Sequence, residues 1–203
     1  LREICVDRVS AALDAWSGGV DRIEYCARLD QDGLTPDLDE LREVTSRVKI
    51  PVFAMVRPRP GDFVHTSAEV DEMLASIDQV RAAGAHGIVL GVLEPAGAVN
   101  ESALTRLVQA AAELPVTFHR AFDRLANPTE SLEVLITAGV KRLLTSGDAA
   151  SAWEGRELLR ELVLQAGNRL IVMPGGGVRS DHARELMAFT GAREIHSSVL
   201  LDL

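Results

Sequence analysis

At 203 residues, with 47% hydrophobic and 25% charged residues, the chain has the composition of one ordinary globular domain and is too apolar to be disordered. A formal net charge of −9 and an aromatic content of only 4% argue against nucleic-acid partners, which call for basic surfaces or aromatic stacking platforms. No apolar run approaches the ~20 residues that span a bilayer, no signal-peptide pattern opens the chain, and two cysteines are few for a disulfide scaffold, so a cytoplasmic protein with reduced thiols is expected.

Short β-branched and apolar runs alternate with amphipathic stretches along the whole chain. Strand signals fall at 2–6, 22–26, 51–57, 87–93, 116–120, 142–146, 169–173 and 194–197. Helix signals fall between them at 9–16, 38–47, 68–83, 101–113, 129–138, 150–166 and 181–189. In the third helix, Val70, Met73, Leu74 and Ile77 share one face. Gly18, Gly84, Gly139, Gly167 and Gly191 each follow a helical stretch, where a terminating glycine is expected. Eight strands alternating with seven helices predict a single α/β domain over 1–203, a (β/α)8 TIM-type barrel of parallel strands. A doubly wound open sheet is the alternative fold. The eighth helix is absent or incomplete, so the groove beside strands eight and one calls for a partner copy in a homo-oligomer or for further residues.

Strand side chains alternate between faces. Packing the most apolar parity under the helices turns Glu3, Cys5 and Asp7 of the first strand into the barrel, with Glu24 and Cys26 of the second. Phe53, Met55, Arg57 and Arg59 share the inward parity of the third, Thr117 and His119 of the fifth, and Glu194, His196 and Ser198 of the eighth. A purely structural barrel fills its interior with Val, Ile and Leu. Buried charge costs several kcal/mol per ion unless paired, so these residues imply either a self-satisfied ion pair, such as Glu24 with Arg57, or a ligand pocket at the strand C-termini.

Four loops carry the candidate chemistry. In "MVRPRPGDF" (55–63), Arg57 and Arg59 can each grip a carboxylate or phosphate through two parallel hydrogen bonds, with Asp62 orienting one of them. In "TFHRAFD" (117–123), His119 faces inward as a candidate acid or base, Asp123 sits at the rim, and Arg120 has the outward parity unless the strand end turns it. "LTSGD" (144–148) offers Ser146, and "MPGGGV" (173–178) offers the amides of Gly175, Gly176 and Gly177 to an anion after strand seven. Each of these also reads as an ordinary loop or turn. Cys5 and Cys26 lie on neighbouring strands and could form a soft site for Cu(I), with methionine, His119 or His196 completing it, although small buried thiols are the commoner fate.

Taken in order, "EICVDRVSAALDAWSGGVDRIEYCA", "GLTP", "MVRPRPGDFVHT", "TFHRAFD", "LLTSG", "MPGGGV" and "EIHSS" closely resemble the CutC copper-homeostasis family from residue 1 to about 198. The resemblance implies a cytoplasmic TIM-type barrel associated with copper, and a copper-binding cysteine at Cys26. Two functions are carried forward. One is copper homeostasis with Cu(I) bound at Cys26 and Cys5. The other is an isomerase, aldolase or lyase acting on a small phosphorylated or carboxylated substrate. In the second, Arg57, Arg59, Asp62, Arg120, Ser146, Gly175, Gly176, Gly177 and His196 bind, and His119, Glu24 and Asp123 move protons.

Overall fold

The outward faces of the strand segments are apolar and so are the inward faces of the helices, and the two surfaces bury each other. The computed structural model describes residues 1–202; Leu203, the end of the expected domain, lies outside the described residues. The strands are β1 (Arg2–Val6), β2 (Arg22–Tyr25), β3 (Val52–Met55), β4 (Gly87–Leu90), β5 (Val116–Phe118), β6 (Arg142–Thr145), β7 (Ile171–Pro174) and β8 (Ile195–Ser197). Between them lie α1 (Val9–Ser17), α2 (Leu38–Arg47), α3 (Ser67–Ala82), α4 (Glu101–Ala111), α5 (Pro128–Thr137), α6 (Arg156–Ala166) and α7 (Ser180–Thr190). The strands pair in parallel in the order β7-β6-β5-β4-β3-β2-β1-β8, a nearly closed barrel, and no helix follows β8 among the described residues. The doubly wound alternative is thereby discarded.

One continuous core fills the space between sheet and helices, including Ile23, Tyr25, Ile88, Leu90 and Phe118 from the strands with Leu41, Ile77, Leu104 and Leu159 from the helices. Helix starts are fixed locally. Asp37 accepts from the amides of Asp39 and Glu40 at α2, and Thr66 with Glu69 forms a reciprocal capping box at α3.

Several predicted boundaries are too generous. β3, β4 and β5 end two to three residues early, and α6 begins at Arg156, not at residue 150. The early end of β5 matters most. His119 accepts from the Ala121 amide through its own ring nitrogen, and residues Arg120–Arg124 wind into a short 3₁₀ turn. That turn, not a strand, carries the rest of the "HRAFD" motif.

The inward faces form two unlike layers. At the lower end Glu3, Arg22, Arg142 and Glu194 are all buried. Arg22 donates to Glu3 and, at 2.6 Å, to Glu194; Arg142 donates to Glu194 at 2.5 Å. Both guanidinium groups lie over the Phe53 ring, 4.9 and 5.3 Å from its centroid. Register explains the pairing, because Glu3 stands opposite Arg22 on one side and His196 on the other. Above this charged floor Cys5, Cys26, Met55 and Val89 make a small apolar layer, which also takes in Phe53.

Candidate functional site

A cavity of about 640 Å³ opens at the carboxyl ends of the strands, the end at which barrels of this kind hold their ligands. Its floor is Cys5, Glu24, Met55 and His196, and its upper wall includes Phe63, His119, Arg120, Gly176 and Gly177.

The floor is built by register. Cys5 stands opposite Glu24 across β1 and β2, and His196 stands opposite Glu3. Sγ of Cys5, a carboxylate oxygen of Glu24 and a ring nitrogen of His196 lie within 4.8 Å of one another. Cys26 sits just behind, its Sγ 3.6 Å from that of Cys5. Cys5 lines the cavity, whereas Cys26 is fully buried and is not part of its wall. Met173 turns the other way, its sulfur accepting from Arg22 at 3.4 Å, and so belongs to the charged floor below.

Burial dominates the ionisation of this group. It favours a neutral carboxyl on Glu24, raising its pKa despite His196, and one of its oxygens, Oε2, finds no hydrogen-bond partner among the described residues. Burial would likewise raise Glu3, but its hydrogen bond to His196 at 2.7 Å and the charge of Arg22 hold it down at about 2. His196 is pulled both ways: burial lowers it, while Glu24 and Glu3 more than reverse that and raise it above its ordinary value. The Cys5 thiol is pushed well up by its contact with Cys26, by burial and by Glu24.

On the upper wall the 3₁₀ turn swings Arg120 into the cavity despite its outward strand parity. Asp123 holds it there. Its carboxylate accepts from Arg120 Nε at 2.8 Å, from the Ser146 amide at 3.1 Å and from the Thr145 hydroxyl. The Ser146 hydroxyl accepts from Arg120 at 3.1 Å and lies 2.9 Å from Asp123. Both Asp123 oxygens are engaged, so its place is to position Arg120; Ser146 shares that task and is not itself part of the cavity wall.

His119 is buried against Phe63, ring centroids 4.9 Å apart. Gly91 makes room for it: a Cβ at residue 91 would lie 2.9 Å from that of Ala121 and closer still to the imidazole. Gly91→Ala is therefore expected to cost about 1–3 kcal/mol through overpacking, measured by urea unfolding. Unchanged stability would mean that the ring moves aside freely.

Three sequence expectations need correction. Arg57 does not pair with Glu24 and does not face the cavity; its guanidinium donates to the carbonyls of Gln31 at 3.0 Å, Gly33 at 3.2 Å and Gly61 at 2.9 Å, and stacks on Phe63 at 4.7 Å. It is a clamp between loops. Arg59 and Asp62 bind each other at 2.9 Å, and Arg59 also reaches Glu69 and the Val64 carbonyl, all away from the cavity wall. The Gly175 amide is taken by the Thr145 carbonyl at 3.0 Å, leaving only Gly176 and Gly177 of the glycine run on the wall. Conversely, Phe63, Leu144, Arg124 and Ser197 line the cavity without having been singled out in the sequence. Leu144 alone had a local signal, since it shares the inward parity of Arg142.

An eight-stranded parallel βα barrel with a thiol pair and a polar cavity at the carboxyl ends of its strands defines the class: a TIM-type barrel protein. Its chain belongs to the CutC family, whose model matches residues 1–201. A CutC protein of Xanthomonas campestris is 47% identical over 97% of this chain and 82% of its own length. The human copper homeostasis protein cutC homolog is 43% identical over 98% of this chain and 72% of its own length. Among solved structures, the CutC barrel of Streptococcus agalactiae superposes with a TM-score of 0.94 at 28% identity, covering 98% of this chain and 99% of that one. An aldolase barrel superposes at 0.75 with 15% identity, a likeness of fold alone, covering 97% of this chain and 89% of that one.

Proposed function

We propose that this barrel serves copper homeostasis in the cytoplasm by taking up Cu(I) as cargo between Cys5 and Cys26. The observation that carries the reading is the 3.6 Å separation of the two sulfurs with one of them facing the cavity. Two thiolates that each approach one ion to ~2.3 Å can stand at most about 4.6 Å apart, so the pair is within bridging reach. Soft sulfur donors favour Cu(I), and His196 or Met55 lies on the same floor to complete a three-donor set. Because both thiols must lose their protons, binding is expected to strengthen as pH rises. An anaerobic titration against a chromophoric Cu(I) chelator tests this. Cys26→Ser is expected to weaken binding by at least roughly tenfold, since even the outer partners of metal ligands are worth about ten- to hundredfold. Equal affinity in the two proteins removes the thiol pair as the seat.

A second reading, in which the cavity holds a small carboxylated or phosphorylated molecule and acts on it, is favoured by unpartnered polar atoms on its wall. Glu24 Oε2 and His119 Nε2 are both buried without a hydrogen-bond partner among the described residues. Within that reading the chain's two lysines narrow the chemistry. Lys49 lies three residues before β3 and Lys141 immediately before β6, at the opposite end of the barrel. Schiff-base aldolase chemistry therefore has no amine in the cavity, and proton transfer by carboxyl and imidazole groups is what the wall supports.

A further inference from the structure

The imidazole of His119 has a defined tautomer. Its Nδ1 accepts from the Ala121 amide at 3.1 Å, so the neutral ring carries its hydrogen on Nε2. That Nε2–H is buried and has no acceptor among the described residues. An unsatisfied buried donor carries a free-energy penalty, and native structures seldom keep one without a use. The neutral state is secure, because burial, with the positive charge of Arg57 adding to it, brings the ring's pKa down to about 3.

Beside it, Arg120 is held by one edge only. Nε and Nη2 are engaged by Asp123 and Ser146, while Nη1 has no acceptor among the described residues. Gly176 lets the guanidinium lie against the backbone: a Cβ at residue 176, where φ is +103°, would stand 3.1 Å from the guanidinium carbon. The wall thus offers two donors of different kinds, one cationic and near the mouth, one neutral and buried. Both lack acceptors among the described residues, and both residues line the same cavity.

We infer that this wall is a two-point site for a small organic anion, with an anionic group on Arg120 and a second oxygen acceptor, a carbonyl or carboxylate oxygen, on the Nε2–H of His119. The inference rests on the second reading above and uses neither thiol. A neutral imidazole that donates from a fixed position can polarise a carbonyl oxygen without giving up its proton. It makes His119 the residue that selects ligands carrying such an oxygen, and Arg120 the residue that selects for charge. Asp123 acts through Arg120 as a positioning residue.

Metal-free protein labelled with ¹⁵N-histidine supplies the test, with 2-phosphoglycolate as the two-point probe and inorganic phosphate as the one-point probe. Phosphoglycolate is expected to bind at least tenfold more tightly than phosphate and to shift the His119 Nε2–H resonance. His119→Asn keeps an acceptor for the Ala121 amide but lacks the Nε2–H, and it is expected to bring the two probes to equal affinity. Arg120→Gln is expected to weaken both. If wild-type protein binds both probes equally and the imidazole resonance stays still, the two-point site is wrong although the cavity still takes anions. If neither probe binds, the site and the anionic-ligand reading fall together. The wild-type resonance decides the matter even if a variant fails to fold.

Discussion

Glu194→Ala is expected to be among the most destabilising single substitutions in the barrel interior, by about 3–5 kcal/mol, which for a chain of this size lowers Tm by roughly 6–20 °C. Glu194 is the shared acceptor of two buried guanidinium groups, at 2.6 Å from Arg22 and 2.5 Å from Arg142. Burial would raise its carboxyl pKa, but Arg142 and Arg22 overcome that and hold it below the ordinary range, so the group is charged at neutral pH. Removing it leaves Arg22 with Glu3 and the Met173 sulfur, and leaves Arg142, among the described residues, with only the Thr117 hydroxyl at 3.4 Å as a hydrogen-bond acceptor. The penalty comes from the orphaned cation and not from the strength of the pair. A second variant separates these. Replacing Arg142 and Glu194 together by methionine removes both charges, and the double variant is expected to be at least about 2 kcal/mol more stable than Glu194→Ala. Chemical unfolding of wild type, single and double variants measures all three. A double variant as unstable as the single one would show that the layer contributes packing and not charge compensation.

The same layer shows what the sequence could and could not disclose. Alternation along β1, β2 and β8 is enough to turn Glu3, Glu24, Cys5, Cys26, Glu194 and His196 inward, because one parity of each strand is plainly apolar. The rhythm of strands and helices is likewise enough for the barrel. Arg22 and Arg142 share the inward parity of Glu24 and Leu144, so the acids' partners were also legible, though masked by their position at strand starts, where a charge is ordinarily solvated. The failures have a different origin. Arg57 and Arg59 look like ligand grips because local spacing shows where a guanidinium starts and not what it finds. The carbonyls of Gln31 and Gly33 reach Arg57 from another loop, through contacts that no local pattern encodes. Arg120 was legible only as an exception to parity. Its approach to the cavity depends on His119 ending β5 by capping the next turn with its own ring, a side-chain-to-backbone bond that overrides the strand propensity of the residues before it.

The two proposed ligand seats occupy one cavity at different depths. Cys5, Glu24 and His196 form its floor, while His119 and Arg120 stand on its upper wall. Cu(I) at the thiols would neutralise donors on the floor and leave the wall's acceptor preference untouched. The seats are therefore separable by experiment: thiol substitutions address the first, and the imidazole and guanidinium address the second.

Acid is expected to destabilise the fold through His119 in a window set by its environment. Burial and Arg57 hold the folded-state pKa at about 3, against an ordinary value of 6.5 in the unfolded chain. Above pH 6.5 the ring is neutral in both states and the full stability is present. As pH falls below 6.5 the unfolded chain takes up a proton that the folded chain refuses, so stability drops by about 1.4 kcal/mol per pH unit until the folded pKa is reached. Between pH 6.5 and 4.5 the loss from this one group is roughly 3 kcal/mol. Other buried groups titrate as well. His65, lowered by burial and by Arg59, acts in the same direction as His119. Glu24 and His196, both raised, act in the opposite one. All of these are present in His119→Asn, so the difference between wild type and variant isolates the imidazole. At pH 7 the variant is expected to be the less stable, having lost the contact with Phe63. By pH 4.5 wild type is expected to have lost roughly 3 kcal/mol relative to the variant, narrowing or reversing the gap. Urea unfolding of both proteins at half-unit steps measures it. Parallel stability curves across that range would mean that the ring ionises freely in the folded protein, and that the buried Nε2–H is not the fixed neutral donor described above.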